Sequence, residues 1–284
     1  MSNGIEQPSS IYQGARWLRA DFHLHSPGAF NFKFPHDVNP EKDREQIVAR
    51  FVQQLADQDI GIAAITDYQS VREEWFVPIQ NAARERGIVV YPGVELSFKT
   101  GKYGLHVLAI FPLDAELQNI NATVRALDTN AYEPLINQDG GHRDIDLSKN
   151  LRDALVSLRE KTRAVLIPAH PNNSDGLFKS CRPQDAAEII QAVRFDAIEC
   201  FSDAEREKMV STGVLSRELV ERIASVEFSD NHAIEEIGTK NRSDGTRRAT
   251  FLKLSVLDDL RAVRMALHDS QILVRTGEKP TAGY

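Results

Sequence analysis

Asp21-Phe22-His23-Leu24-His25-Ser26 closes a short apolar run, and five further endings in the chain are built in the same way. They read Ile65-Thr66-Asp67, Gly93-Val94-Glu95, Leu105-His106, Pro168-Ala169-His170 and Ser229-Asp230-Asn231-His232. Each is a stretch of strand-forming residues that finishes on a His, Asp or Glu. Five of the eight histidines fall in these endings. Side chains two apart in a strand share a face, which joins His23 to His25 and Asp230 to His232. Imidazoles and carboxylates delivered to one end of a set of parallel strands make a metal site, and this many donors suit more than one ion.

Around these endings strand and helix patterns alternate. Strand runs cover 17–25, 60–66, 88–98, 105–111, 164–169, 197–201 and 225–229. Helical periodicity is clearest over 41–57, where Ile47, Val48, Phe51, Val52 and Leu55 form one apolar stripe. Further helices are expected over 71–86, 147–161, 183–193, 212–224 and 256–268, while 114–146 reads as an insertion with partial helix. Seven strands alternating mainly with helices suit an α/β barrel or a wound sheet. Reactive residues drawn from many strand ends favour the barrel, because a wound sheet gathers its site at one switch point. The expected fold class is α/β: a seven-stranded barrel over 17–275, with an N-terminal extension over 1–16 and a tail over 276–284.

The 284 residues are 42% hydrophobic and 26% charged, enough to bury a sizeable core. No apolar run approaches the ~18–20 residues of a membrane span, and the N-terminus lacks a signal peptide's basic start and apolar centre. Cys181 and Cys200 do not make a disulfide framework, so the expectation is a reducing cytoplasm. Neither stands in a CxxC pair, which leaves N and O donors as ligands. The net charge of −7 argues mildly against an extended nucleic-acid groove, but bound cations would supply the local positive charge a nuclease needs.

The link over 99–104 is too short for a helix and rich in Gly, so a hairpin is expected. A turn centred on Thr100-Gly101 pairs 98 with 103, 96 with 105 and 95 with 106. Glu95 and His106 would then stand opposite, with Cβ atoms ~5 Å apart. A slip of one residue would undo the pairing.

This set of residues resembles the polymerase and histidinol phosphatase (PHP) family of phosphoesterases. The match runs through Asp-x-His-x-His-Ser at 21–26, Ile-Thr-Asp at 65–67, Pro-Gly-Val-Glu at 92–95, Leu-His-Val-Leu-Ala at 105–109, Ala-His-Pro at 169–171 and Ser-Asp-x-His at 229–232. The resemblance implies a distorted seven-stranded β/α barrel holding two or three divalent ions, commonly Zn, Mn or Fe. It also implies hydrolysis of phosphate mono- or diesters, with nucleotides and DNA ends among the substrates. Ile237-Gly-Thr-Lys240, Thr250-Phe-Leu-Lys253 and Leu260-Arg-x-x-Arg264 look like a subgroup in which such a domain stands before an AAA- or SMC-like ATPase. No Walker A motif occurs here, so that ATPase would be another domain or a separate partner.

On this resemblance His23, His25 and Asp230 hold the first ion, Glu95 bridges, and Glu95, His106 and His170 hold the second. A third would take His232 with His36 or Asp67, although Tyr68 stands where most of the family has His. Asp21 and Glu199 are expected behind the ligands, orienting them. His142 and His268 have no motif around them and read as structural or surface residues.

The implied mechanism is attack by a metal-bound hydroxide, with no Ser-His-Asp or Cys-His arrangement to support a covalent route. Asp67 or His232 would protonate the leaving group, and Tyr68 would contact a phosphate oxygen. Lys240 and Arg242, in a basic stretch with Arg247, Arg248 and Lys253, would bind further phosphates or form a solvated loop. Phe30, Phe32 and Phe34 alternate and read as packing residues before they read as a base-stacking surface. The expected function is a phosphodiesterase or nuclease acting on nucleic acid or nucleotides. The alternatives are a phosphatase on a small phosphomonoester and a catalytically weak module regulating an ATPase.

Overall fold

The computed structural model describes residues 14–99, 104–130, 132–137 and 141–281. The first half runs β1 (Arg16–Leu24), α1 (Arg44–Asp57), β2 (Ile60–Ile65), α2 (Glu73–Glu85), β3 (Val89–Phe98), β4 (Leu105–Ile110) and α3 (Leu117–Arg125). Then come α4 (Leu151–Thr162), β5 (Val165–Pro168), α5 (Leu177–Ser180), α6 (Pro183–Val193), β6 (Ala197–Glu199), α7 (Asp203–Ser211), α8 (Arg217–Arg222) and β7 (Ala224–Val226). The chain ends with β8 (Thr250–Leu254), α9 (Leu260–His268), α10 (Ser270–Leu273) and β9 (Val274–Thr276). Among the described residues no helix is long and apolar enough to cross a membrane.

The architecture is mixed α/β with a curled seven-stranded sheet of order β5-β4-β3-β2-β1-β8-β9, while β6 and β7 form a separate parallel pair. This corrects the sequence reading in one respect. All seven expected strands form, but the large sheet takes β8 and β9 in place of β6 and β7. Strand β8 lies inside the basic stretch, and β9 follows α10 without a turn signal, so neither shows as an isolated apolar run. Helix α7 was also missed, because its polar sequence buries only Met209.

Apolar residues alternate between two layers. Ala63 and Ile65 pack with the outer helices, including the Ile47, Val48, Phe51, Val52 and Leu55 stripe of α1. Ile62, Ala64, Tyr91, Leu108 and Ile167 pack on the other face with Phe22, Phe228 and α9. Both faces of β2 are covered, as expected of a parallel strand. The segment 114–146 belongs to this body, since Ile120, Val124, Leu135 and Ile145 are buried in the outer layer.

The β3–β4 hairpin forms in a different register from the one expected. Ser97 pairs with His106, Leu96 with Val107 and Glu95 with Leu108. The turn at 100–103 lies outside the described residues. The pairing moves by two positions, so parity is preserved and Glu95 and His106 become diagonal neighbours on one face. Gly93 lets β2, β3 and β4 close up here, because a Cβ would lie 2.6 Å from Thr66 Cγ2.

Asp196 ties the two sheets together at the end away from the histidines. It accepts from the Leu166 N–H at 2.9 Å, Arg159 at 3.0 Å, Arg264 at 3.1 Å and the His268 ring at 2.9 Å. Burial opposes its charge, but His268, Arg159, the Leu166 N–H and Arg264 hold its pKa below the ordinary 3.8. The stability this supplies is therefore present above that value and is lost as pH falls through the depressed one. Asp196→Ala leaves two arginines facing an apolar edge and is expected to cost ~3 kcal/mol or more, read as a lower urea midpoint at pH 7 and a smaller loss at pH 2–3.

Candidate metal centre

The other strand endings converge on Glu95, which lies within the C-terminal half of β3 and is buried with no exposed surface. Its Oε2 lies 3.3 Å from His23 Nε2 and 3.3 Å from His25 Nε2. Its Oε1 lies 2.7 Å from His106 Nδ1 and 3.1 Å from His170 Nε2. Asp230 Oδ1 completes the first group, 3.5 Å from His23 Nε2 and 3.7 Å from His25 Nε2. The carboxylate thus serves two sets of nitrogens with two different oxygens.

Local backbone explains how the side chains reach one place. The register of β1 with β2 shifts between Asp21 and Leu24, an irregularity of the kind that re-aims side chains beside active sites. Strand β4 runs antiparallel to β3 and β5, so His106 near its start meets the C-terminal ends of both. His170, Asp230, Gln69 and Cys200 have φ values of 26°, 47°, 61° and 51°. Such positions cost non-glycine residues ~1–3 kcal/mol each and gather at functional sites. Here they gather just past the strand ends.

Several buried atoms have no hydrogen-bond partner: His23 Nε2, both nitrogens of His25, Glu95 Oε2, His170 Nδ1 and His232 Nδ1. A buried polar atom left unpaired is costly. Divalent cations would satisfy His23 Nε2, His25 Nε2 and Glu95 Oε2 together, and the all-N/O donor set suits Zn, Mn or Fe. His23, His25 and Asp230 form one ligand group, His23, Glu95 and His170 a second, and His106, His170 and Asp175 a third.

Electrostatics point the same way. Burial opposes protonation of His23, but Glu95, Asp230 and Glu199 outweigh it and lift its pKa to about 9. His170 is likewise opposed by burial and lifted to about 11 by Asp175, Glu95 and Glu199. Glu95 and Asp230 are held well below the carboxylate range by the surrounding imidazoles, against their burial. The buried carboxylates thus favour positive charge at the place that metal cations would take.

Behind the ligands, Glu199 accepts the His170 N–H at 2.7 Å and lies 3.3 Å from His23 Nδ1, the orienting role expected of it. Asp21 accepts from Ser229 and from the His23 N–H, so it holds backbone and not a ligand ring. Burial pushes its pKa up to about 6, against those hydrogen bonds.

The third ligand set of the sequence reading does not assemble. His36 is exposed and stands in none of the ligand groups. Asp67 spends both oxygens on Ser26, at 2.8 Å to its N–H and 2.6 Å to its hydroxyl, and sits 3.8 Å from His25 Nδ1. Each of its oxygens already accepts one hydrogen bond from Ser26, and Asp67 stands in none of the ligand groups. His232 stacks on His25 with centroids 5.2 Å apart, and its Nε2 is 3.9 Å from Asp230. Tyr68 is sandwiched between His25, at 4.7 Å, and His142, at 4.3 Å.

Lys240 Nζ donates to Asp230 Oδ2 at 3.0 Å, at the site. Arg242 is spent on Glu227 at 2.7 Å and faces no ligand group. Phe32 and Phe34 pack together, while Phe30 is 48% exposed and meets Tyr68 and His142 at the mouth. His268 is the surface residue expected, but His142 lies over the centre. Asp175 was also missed, 3.4 Å from His170 Nδ1. Its signal was an acid five residues after His170, with Gly176 closing the turn.

No family profile and no curated protein matches the chain. Solved structures do. A two-domain protein from Bacteroides vulgatus containing a predicted PHP-like metal-dependent phosphoesterase aligns at 16% identity and a TM-score of 0.56, over 91% of this chain and 64% of that one. The chain therefore spans less than two thirds of that protein. A candidate metal-dependent phosphoesterase from Bifidobacterium adolescentis aligns at 13% identity and a TM-score of 0.52, over 87% of this chain and 95% of that one. The fold is the one found in PHP-like metal-dependent phosphoesterases.

Metal uptake must displace the protons held by His23, His25 and His170. Titration with Zn2+ in buffers of different ionisation enthalpy is expected to report proton release, with affinity rising from pH 6 toward about 9, the value for His23. The raised histidine pKa values make the opposite prediction for metal-free protein. Their contribution is complete below 6.5 and is lost as pH rises through about 9 and about 11, so its melting temperature falls across that window.

Proposed function

We propose that the chain is a metal-dependent phosphoester hydrolase that holds two divalent ions and cleaves phosphodiesters of nucleotides or nucleic acid. One observation carries the reading: the two oxygens of buried Glu95 face two separate pairs of histidine nitrogens. In this reading the curled sheet and the β6–β7 pair close as a distorted β/α barrel with the ions at the C-terminal strand ends. His23, His25, Asp230 and Glu95 hold one ion, and Glu95, His106 and His170 the other. Bound there, divalent ions supply Lewis acidity that lowers the pKa of water and offsets charge on phosphate oxygens.

The remaining work falls to the chain. Lys240, half free of Asp230, reaches a phosphate oxygen. His232 gives a proton to the leaving oxygen, because both Asp67 oxygens already accept from Ser26. Tyr68 and His142 wall off water beside His25, and the exposed Phe30 ring receives a base at the mouth. The Tyr68 hydroxyl contacts a phosphate oxygen in this reading.

A second reading, a phosphatase on a small phosphomonoester, is favoured by one observation. Arg242 is held by Glu227 and Arg247 by the Gly238 carbonyl at 2.6 Å, so much of the basic rim is spent internally. Association with an AAA- or SMC-like ATPase and a cytoplasmic location belong to the same proposal and rest on the sequence alone.

Elemental analysis after Mn2+ or Zn2+ loading is expected to give about two ions per chain, and less than one would sink the proposal. Bis(p-nitrophenyl) phosphate and oligonucleotides should turn over faster than p-nitrophenyl phosphate, and the reverse order selects the phosphatase. His170→Ala should keep its fold while losing metal affinity ~10–100-fold or more and nearly all turnover. Tyr68→Phe should leave metal content unchanged and lower turnover only a few-fold.

A further inference from the structure

The segment 141–147 is fastened to β3 and stacks His142 on Tyr68, with ring centroids 4.3 Å apart. Ile145 donates its N–H to the Ser97 carbonyl at 2.8 Å and accepts from the Lys99 N–H at 2.9 Å. Gln69 Nε2 bridges the carbonyls of Ser97 and Arg143, at 2.7 and 3.0 Å. Arg143 is anchored in turn on Asp128 at 2.6 Å. The fastening sets one side chain in particular. Asp144 Oδ1 accepts from the Ser97 hydroxyl at 2.5 Å, and the same hydroxyl lies 2.9 Å from His106 Nε2.

A serine hydroxyl has one proton to give, and a carboxylate only accepts. With that proton committed to Asp144, Ser97 Oγ can only accept from His106, which places a proton on Nε2. The other nitrogen, Nδ1, then turns its lone pair to Glu95 Oε1 at 2.7 Å. Two acceptors at that distance repel each other unless a cation is shared between them. We propose that Asp144, acting through Ser97, fixes His106 with its proton on Nε2 and so makes Nδ1 the ligand atom of the second metal position. This rests on the reading that His106 and Glu95 hold an ion. It gives the segment 141–147 a positioning role that the Ser97–His106 pairing makes possible, since the two residues are direct partners in the hairpin.

The ring is bounded on its other sides by Glu95, by His170 with centroids 5.0 Å apart, by Tyr68 at 5.9 Å, and by Asp175 Oδ2, 3.8 Å from Nε2. Among the described residues Asp175 is the competing acceptor for the Nε2 proton, and at 3.8 Å it is farther away than Ser97 at 2.9 Å.

The test combines NMR with metal titration on the full chain. In 15N-histidine-labelled, Zn2+-loaded protein, His106 is expected to show a proton on Nε2 and a metal-shifted Nδ1. Ser97→Ala and Asp144→Ala should weaken the second Zn2+ ~10–100-fold, leave the first unchanged, and speed exchange of the Nε2 proton. Ser97→Thr, which keeps the hydroxyl, should restore the second ion. A merely structural link would lower the melting temperature without separating the two binding steps. The proposal is overturned by a proton on Nδ1 in the loaded protein, or by wild-type affinity for the second ion in Ser97→Ala. If the wild type binds fewer than two ions, the functional reading falls. The relay is then judged in metal-free protein: a slowly exchanging Nε2 proton lost in Ser97→Ala supports it, and no such proton in the wild type overturns it.

Discussion

A carboxylate with no exposed surface must find cations inside the protein or force apart the strands that bury it. Glu95 meets this constraint with four imidazoles, two on each oxygen, and the neighbouring elements are arranged to deliver them. Strand β1 shifts register to bring His23 inward, β4 enters from the antiparallel direction with His106 first, and the turn after β5 bends through an unfavourable φ at His170. Gly93 lets β2 and β4 lie close enough on either side of β3 for these groups to meet.

The two ends of the sheet carry different burdens. At the far end, Asp196 is satisfied by two arginines, a histidine and a backbone N–H, a network that joins β5, β6, α4 and α9. At the near end, His23 Nε2 and both ring nitrogens of His25 lack hydrogen-bond partners and the backbone bends through left-handed positions. The satisfied end holds the strands in place, and the unsatisfied end keeps donors aimed at one point. An apolar core between them, with Phe22 against Phe228 at 5.5 Å, lets strain at one end persist without loosening the other.

Residues sitting in strand-end motifs were readable from sequence, because strand parity and a terminal His or acid are local signals. His23, His25, Glu95, His106, His170 and Asp230 converge for that reason. Groups placed by long-range packing were not readable. His142 reaches Tyr68 only because Ile145 docks on β3 from a segment that carries no periodicity. Asp67 has the right identity and strand position, yet Ser26 claims both its oxygens, which no spacing rule reveals. The hairpin register differs by two positions from the one that the Gly residues suggest. The difference is harmless for the site, since a shift of two preserves the face.

That tolerance follows from the period of a strand. A shift of one would have turned His106 to the outer helices and left Glu95 short of a nitrogen in an apolar layer, a penalty large enough to exclude that register. A shift of two keeps both residues on the inner face and changes only which neighbour stands directly across. In this chain the residue across from His106 is Ser97, with Glu95 on the diagonal. The ring is thereby offered a hydroxyl on one nitrogen and a carboxylate on the other. The pairing of β3 with β4 thus determines more than proximity, because it assigns each side of the imidazole a chemically different partner.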